Sequence, residues 1–186
     1  MTAHKPGQLN TGTAGATSTS PVAQATPQPG RYEIDTSRSI VTFRTRHMFG
    51  LAPVRGSFAI QAGTVEVAGS LTDPGIHVEI EAASFRTGNP LRDSAVRSAR
   101  LLDAGQYPVM TFASQRLDGL ALTGTLTVRD VTGPVSLSIE QSAVTPRSFT
   151  ARAVTRIDRT AFGVTAYRGL AGRYLDMTVE VRCVHK

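Results

Sequence analysis

The sequence has few of the residues that carry covalent or metal chemistry. Cys183 is the only cysteine, which excludes an intramolecular disulfide, a CxxC redox pair and a zinc site built from several cysteines. The four histidines show no metal-ligand spacing and are far apart, at His4, His47, His77 and His185. No GxSxG, P-loop or dinucleotide-binding motif is present. The sequence therefore predicts no enzyme, no cofactor and no metal site.

Long hydrophobic runs and lysines are also scarce. No apolar stretch approaches the roughly 18 residues of a membrane-spanning helix, so no membrane span is predicted. Of the 20 basic residues only Lys5 and Lys186 are lysines, and the arginines are scattered singly. A formal net charge of +6 would suit nucleic acid, an anionic membrane surface or an acidic ligand. Single, dispersed arginines are more typical of a solvated surface.

The first 29 residues have little that could form a core. They are mostly Thr, Ser, Ala, Gly, Gln, Asn and Pro, with Lys5 as the only Lys, Arg, Asp or Glu. Such a composition cannot bury enough apolar surface to offset chain entropy, so residues 1–29 are predicted to be a disordered tail. Leu9 and Val22 are isolated, and a secretory signal needs an apolar run. We therefore expect a cytoplasmic protein, with residues 30–186 as its one domain.

From Gly30 onward, apolar and polar residues alternate in short runs. This period of two is typical of antiparallel strands that cover a core on one face. Asp118 and Gly119 stand between two runs and indicate a hairpin. About eight strands must protect their edges, and closure into a barrel does so most completely. The clearest runs are 41–47, 54–60, 76–82, 122–128, 135–139 and 175–183.

One segment breaks the strand pattern. Leu91, Ala95, Val96, Ala99 and Leu102 recur near helical spacing and predict a short helix inserted between strands. The sides of a barrel are closed by hydrogen bonds, so an inserted helix has to cover an open end. Residues 84–103 are therefore the predicted mouth of the barrel.

The predicted barrel has few large side chains that could fill its interior. It has no Trp, only 7 Phe and 4 Tyr, and many inward positions are Ala, Gly, Val or Thr. An eight-stranded barrel filled in this way favours a cavity for a small apolar ligand, although Leu, Ile and Met can also fill a barrel unaided. A lone inward histidine such as His47 is more often a hydrogen-bonded core residue than a ligand contact. The residues expected to line the lumen are Phe43, His47, Phe58, Ile80, Phe112, Leu126, Leu137 and Met177.

Two arginines at the predicted mouth are candidates for holding a polar or anionic head group. Arg86 and Arg92 would offer several fixed hydrogen-bond donors to a phosphate, amide or quinone oxygen. The structural alternative is a salt link from Arg92 to Asp93 or Asp103 that only fixes the helix.

Several short motifs occur in a characteristic order. Tyr-Glu-Ile-Asp at 32–35 precedes Ser-Ile-Val-Thr-Phe at 39–43, and Ser-Phe-Arg-Thr at 84–87 precedes Leu-Arg-Asp at 91–93. Tyr-Pro at 107–108 and Arg159 with Phe-Gly-Val at 162–164 follow. With these motifs, residues 30–183 resemble the YceI-like family of lipocalin-like, polyisoprenoid-binding proteins. The sequence departs from the family pattern in two ways. Tyr32 stands where the family often has Trp, and the tail offers no secretory signal, although many family members are exported.

The resemblance implies a lipocalin-like barrel that binds a long lipid and performs no chemistry. We expect non-catalytic binding and carriage of a polyisoprenoid, an isoprenoid quinone or a fatty acyl compound. The alternative is a basic β-barrel module for nucleic acid or another anionic partner, which needs exposed aromatics among arginines. The alternation places Phe43, Phe58 and Phe112 on the apolar, inward face of their strands. Their rings are then not exposed, so nucleic acid is not expected. An enzyme built on the same barrel is the weakest hypothesis, and a homodimer is left open.

Overall fold

The structure is a computed structural model that describes residues 1–2, 26–69 and 73–186. Most of the described residues lie in strands, and the helix α1, Pro90–Arg97, follows the fourth strand. In chain order the strands are β1 Gly30–Ile34, β2 Ile40–His47, β3 Ala52–Val67, β4 Gly75–Glu81, β5 Val109–Asp118, β6 Ala121–Val128, β7 Val131–Thr145, β8 Ser148–Asp158 and β9 Tyr174–His185.

Strands β2 to β9 form a closed ring. Each pairs antiparallel with the next, and β9 returns to pair with β2, so the ring has eight positions and no open edge. The short strand β1 shares the place of β2 in the ring, because it also lies between β3 and β9. Its Tyr32 pairs with Val65 of β3, and its Ile34 pairs with Cys183 of β9. The predicted all-β, eight-stranded antiparallel barrel is confirmed, with one position divided between β1 and β2.

Side chains alternate across the wall as the sequence pattern predicts. On β2, Val41 and Phe43 are 2% and 3% exposed, whereas Arg44 and Arg46 face solvent. The hairpin predicted at Asp118 and Gly119 joins β5 to β6, and Gly119 has a φ of 58°, which suits a tight turn. The apolar face of each strand therefore points into the barrel.

The inserted helix is shorter than its sequence pattern indicates. It starts after Asn89, whose side chain accepts a hydrogen bond from the Arg92 backbone N–H at 3.1 Å. It ends because Ser98 turns back, its hydroxyl donating to the Ala95 carbonyl at 2.7 Å. The expectation of one helical face reaching residue 102 is wrong: Leu91 is exposed, and Leu102 is buried in the turn after α1.

The predicted disordered tail, residues 1–29, falls mostly on residues 3–25, which lie outside the described residues. Thr26 and Pro27, near its end, line one end of the barrel interior. Gln28 is fixed to the barrel as well, since its carbonyl accepts a hydrogen bond from the Tyr32 hydroxyl at 2.9 Å. No helix within the described ranges is long and apolar enough to cross a membrane.

Candidate functional site

The barrel interior contains two cavities of about 380 Å³ and 290 Å³. They lie end to end, since five side chains border both of them and form a waist. These come from β2, β4, β6, β8 and β9 and are Val41, Ile80, Leu126, Ile157 and Met177. Together the cavities form one elongated lumen within the size range of small-molecule sites, about 300–1,000 Å³.

Three aromatic rings form one wall of the first cavity. Phe43 lies 5.7 Å from Phe58 and 5.3 Å from Phe85, measured between ring centroids. A side chain at Gly56 would overlap both Phe43 and the Arg86 carbonyl, so the glycine lets these groups approach β3 closely. This close approach keeps the segment after β4 against β3, and the segment places Phe85 in the cavity wall.

The first cavity is covered by α1 and by the loop 163–173 before β9. Arg159, the first residue after β8, holds that loop in place. Its guanidinium donates to the Gly172 carbonyl at 2.8 Å, to the Ala171 carbonyl at 3.2 Å and to the Val164 carbonyl. Burial lowers the pKa of Arg159 from its usual value, which still leaves the group charged at neutral pH. Arg159 therefore brings a positive charge to an otherwise apolar wall.

The second cavity occupies the other end of the barrel and its described lining has no charged side chain. Cys183 lies in its wall and is fully buried. Burial raises the pKa of the Cys183 thiol to about 12, so the thiol stays protonated and unreactive at neutral pH. Thr26 and Pro27 border this cavity, so these two residues before β1 lie at this end of the barrel.

The structure places all eight lumen residues predicted from sequence around the two cavities. Those of the first cavity are Phe43, His47 and Phe58, those of the second are Phe112 and Leu137, and those of the waist are Ile80, Leu126 and Met177. Direct contact between these residues and a ligand stays a prediction.

The two predicted head-group residues are not brought together. Arg92 lines the first cavity and donates a hydrogen bond to the Thr87 hydroxyl at 3.2 Å. Thr87 in turn donates its backbone N–H and its hydroxyl to the buried carboxylate of Asp93, at 3.0 Å and 2.6 Å. Arg86 is exposed, does not line either cavity and pairs through its main chain with Ser57. A head-group role for Arg86 and Arg92 stays a prediction.

The charge of the lumen is asymmetric. The first cavity has Arg92, Arg159 and the half-buried His47 in its wall, and no acidic side chain among the described residues that line it. The contribution of Arg159 was missed because no local sequence pattern shows that the following loop folds over the barrel end. Its motif with residues 162–164 was the available signal.

A family model described as YceI-like domain matches residues 32–184. The Escherichia coli protein YceI is 34% identical over 114 residues, covering 57% of this chain and 59% of that protein. A UPF0312 protein of Enterobacter sp. is 29% identical over 168 residues, covering 83% of this chain and 86% of that protein. The chain thus spans less than two thirds of the Escherichia coli relative but most of the Enterobacter one.

Solved structures share the fold. BcnA of Burkholderia cenocepacia aligns with a TM-score of 0.64 at 22% identity, covering 80% of this chain and 98% of that chain. A polyisoprenoid binding domain of Saccharophagus degradans aligns with a TM-score of 0.67 at 15% identity, covering 83% and 98%. Because the family match extends over nearly the whole barrel, the chain belongs to the YceI-like family.

Proposed function

We propose that this protein binds one long apolar ligand, an isoprenoid, isoprenoid quinone or fatty acyl compound, and carries it without altering it. The observation that carries the proposal is the elongated apolar lumen formed by the two cavities. The polyisoprenoid binding domain from Saccharophagus degradans has the same fold, which supports this class of ligand.

The lumen supports enough affinity without any reactive group. Burial of roughly 400 Å² of apolar ligand surface at about 25 cal/mol per Å² gives about 10 kcal/mol before the costs of association. The candidate polar groups serve orientation: Arg92, Arg159 and His47 at the first cavity suit a polar or anionic head group. The hydrocarbon then extends past the waist into the uncharged second cavity.

A waist variant tests this arrangement. Met177 borders both cavities, so Met177→Trp should obstruct the passage between them. Each methylene excluded from the lumen costs about 0.8 kcal/mol, or about a fourfold loss of affinity. Titration with a series of prenyl alcohols should show the loss only for chains too long for one cavity.

The matched control is Thr178→Trp, one residue along β9 and on the outer face. It should bind the whole series as the unmodified protein does. Equal affinity of Met177→Trp and Thr178→Trp for the longest chains would contradict binding through the waist.

A further inference from the structure

Five large apolar side chains are exposed on two loops at one end of the barrel. Met48, Phe49 and Leu51 lie in the turn between β2 and β3, and Tyr167 and Leu170 lie in the loop before β9. Phe49 and Leu51 are both 82% exposed, and Leu170 is 54% exposed. These five residues are called the rim below. Exposed apolar groups clustered in this way usually mark an interaction surface.

The two loops form one continuous surface. The backbone N–H of Met48 donates to the Leu170 carbonyl at 3.0 Å, and that of Phe49 donates to the Gly169 carbonyl at 2.8 Å. A Cβ at Gly169 would lie 2.7 Å from the Phe49 ring, so the ring rests directly on the glycine. The apolar side chains of the rim are therefore held in fixed positions relative to one another.

Local backbone preference does not explain these residues. Met48, Phe49 and Tyr167 have φ values of 53°, 56° and 56°, a left-handed conformation that favours Gly, Asn or Asp. A large apolar side chain costs stability in this conformation, and at Met48 and Phe49 half or more of the side chain stays exposed. Strained, exposed residues of this kind point to a role in binding.

The rim borders the first cavity. Tyr167 and Leu170 line the first cavity, and His47, the last residue of β2, does so immediately before the turn. An apolar surface thus continues from the outside of the barrel into its interior.

Exposed arginines flank the rim. Arg44 and Arg55 face each other across β2 and β3, and Arg46 donates to the Gly50 carbonyl at 3.3 Å. Arg168 lies in the second loop. None of the ion pairs found among the described residues involves these four arginines. On the flanking strands, Asp158 and Asp176 already pair with Arg173 and Arg156.

A polar surface pocket of about 340 Å³ lies directly beside the rim. Arg159, Arg168 and Arg173 line it together with Thr160 and the loop backbone. Arg159 borders both this pocket and the first cavity, so the two share a wall. Several guanidinium groups around one pocket suit the phosphate of a lipid head group.

We propose that the rim docks on an anionic phospholipid bilayer, so that the lumen opens onto the membrane. The apolar side chains enter the interface, and the arginines contact lipid phosphates. A second protein copy fits less well, since a standard protein interface has about 20 residues a side and few charges at its core. Met48, Phe49 and Leu51 lie outside the lumen, and Tyr167 and Leu170 lie at its edge. Membrane docking is therefore a second function beside the proposed ligand binding.

Flotation of the full-length protein with vesicles tests the proposal. We expect binding to vesicles of phosphatidylcholine mixed with phosphatidylglycerol, weaker binding at high salt, and much weaker binding to phosphatidylcholine alone. Phe49→Asp should lower the partition coefficient roughly tenfold. Aspartate tolerates a positive φ, so the fold should be retained, and Leu51→Asp provides a second variant outside the left-handed positions.

Three further variants separate the effect of charge from that of apolar contact, and the rim from the rest of the surface. Arg46→Gln and Arg168→Gln should each weaken binding to the anionic vesicles about fivefold. The matched control is Val184→Asp, since Val184 is an exposed apolar residue near the other end of β9, 40% exposed, and lines neither cavity. It should leave vesicle binding unchanged, and a thermal melt of each variant checks its fold.

Some outcomes would overturn membrane docking and leave the proposed ligand binding unaffected. Absence of vesicle binding, or equal losses in Phe49→Asp and Val184→Asp, would overturn it. So would a concentration-dependent dimer that Phe49→Asp abolishes, because the rim would then be a protein interface. Extraction of lipid from the same variants is measured separately: vesicle binding by a protein with an empty lumen would overturn only the proposed function.

Discussion

Leu126 provides a direct test of which way the strands face. It lies on β6 at the waist and borders both cavities, whereas the next residue, Thr127, has its hydroxyl 2.8 Å from that of Thr132 on the neighbouring strand. Leu126→Asp removes apolar contact and introduces an unpaired carboxylate into an apolar interior. Thr127→Asp makes the same chemical change one residue along, on the outer face.

The expected difference between these variants is large. For Leu126→Asp we expect a loss of about 3–5 kcal/mol in the free energy of unfolding, from lost burial and an unsatisfied charge. In a domain of this size that lowers Tm by about 10 °C. For Thr127→Asp we expect less than about 1 kcal/mol, as is usual for surface substitutions. Urea titration and thermal melts of both variants measure the difference.

The pH dependence gives an independent check on Leu126→Asp. An apolar cavity disfavours the carboxylate, so its pKa in the folded protein lies above the unfolded value of about 3.9. The folded state then binds more protons than the unfolded state. The destabilisation therefore grows as the pH rises through the unfolded value and is smallest in acid. Equal losses for both variants at neutral pH would refute the inward and outward assignment.

Three further predictions concern other parts of the barrel. Arg159→Met should destabilise by about 2–4 kcal/mol, since it removes three hydrogen bonds to the loop 163–173, and hydrogen exchange should show faster exchange in that loop while distant strands stay protected. Cys183 should react with iodoacetamide only after unfolding in urea, because burial raises the pKa of its thiol to about 12; rapid labelling of the native protein would contradict this. Deletion of residues 1–25 should change Tm very little, whereas a deletion through residue 29 should lower it, because that deletion removes the carbonyl of Gln28 that holds the Tyr32 hydroxyl.

Much of the barrel could be predicted from sequence because its strands alternate with a period of two. Each apolar position on 41–47 or 175–183 faces the same interior, so local pattern and tertiary environment agree. The turn at Asp118 and Gly119 was equally predictable, since its geometry depends on those residues themselves.

Features set by contacts that the apolar pattern does not encode could not be predicted. The helix stops at Arg97 because Ser98 turns back, although Leu102 continues the helical spacing. Arg86 faces away from the lumen because its main chain pairs with Ser57 on another strand. Arg159 reaches the first cavity only through a loop that folds over the barrel end, and no local pattern encodes that fold.

The most direct test of ligand binding is the composition of the lumen in the purified protein. An organic-solvent extract of full-length protein, analysed by mass spectrometry, should contain a prenyl, quinone or acyl compound in near-equal amount to the protein. Extract from Leu126→Asp should contain much less of that compound, and extract from Thr127→Asp should match the unmodified protein. A clean extract, together with no uptake of added prenyl alcohol, would contradict the account.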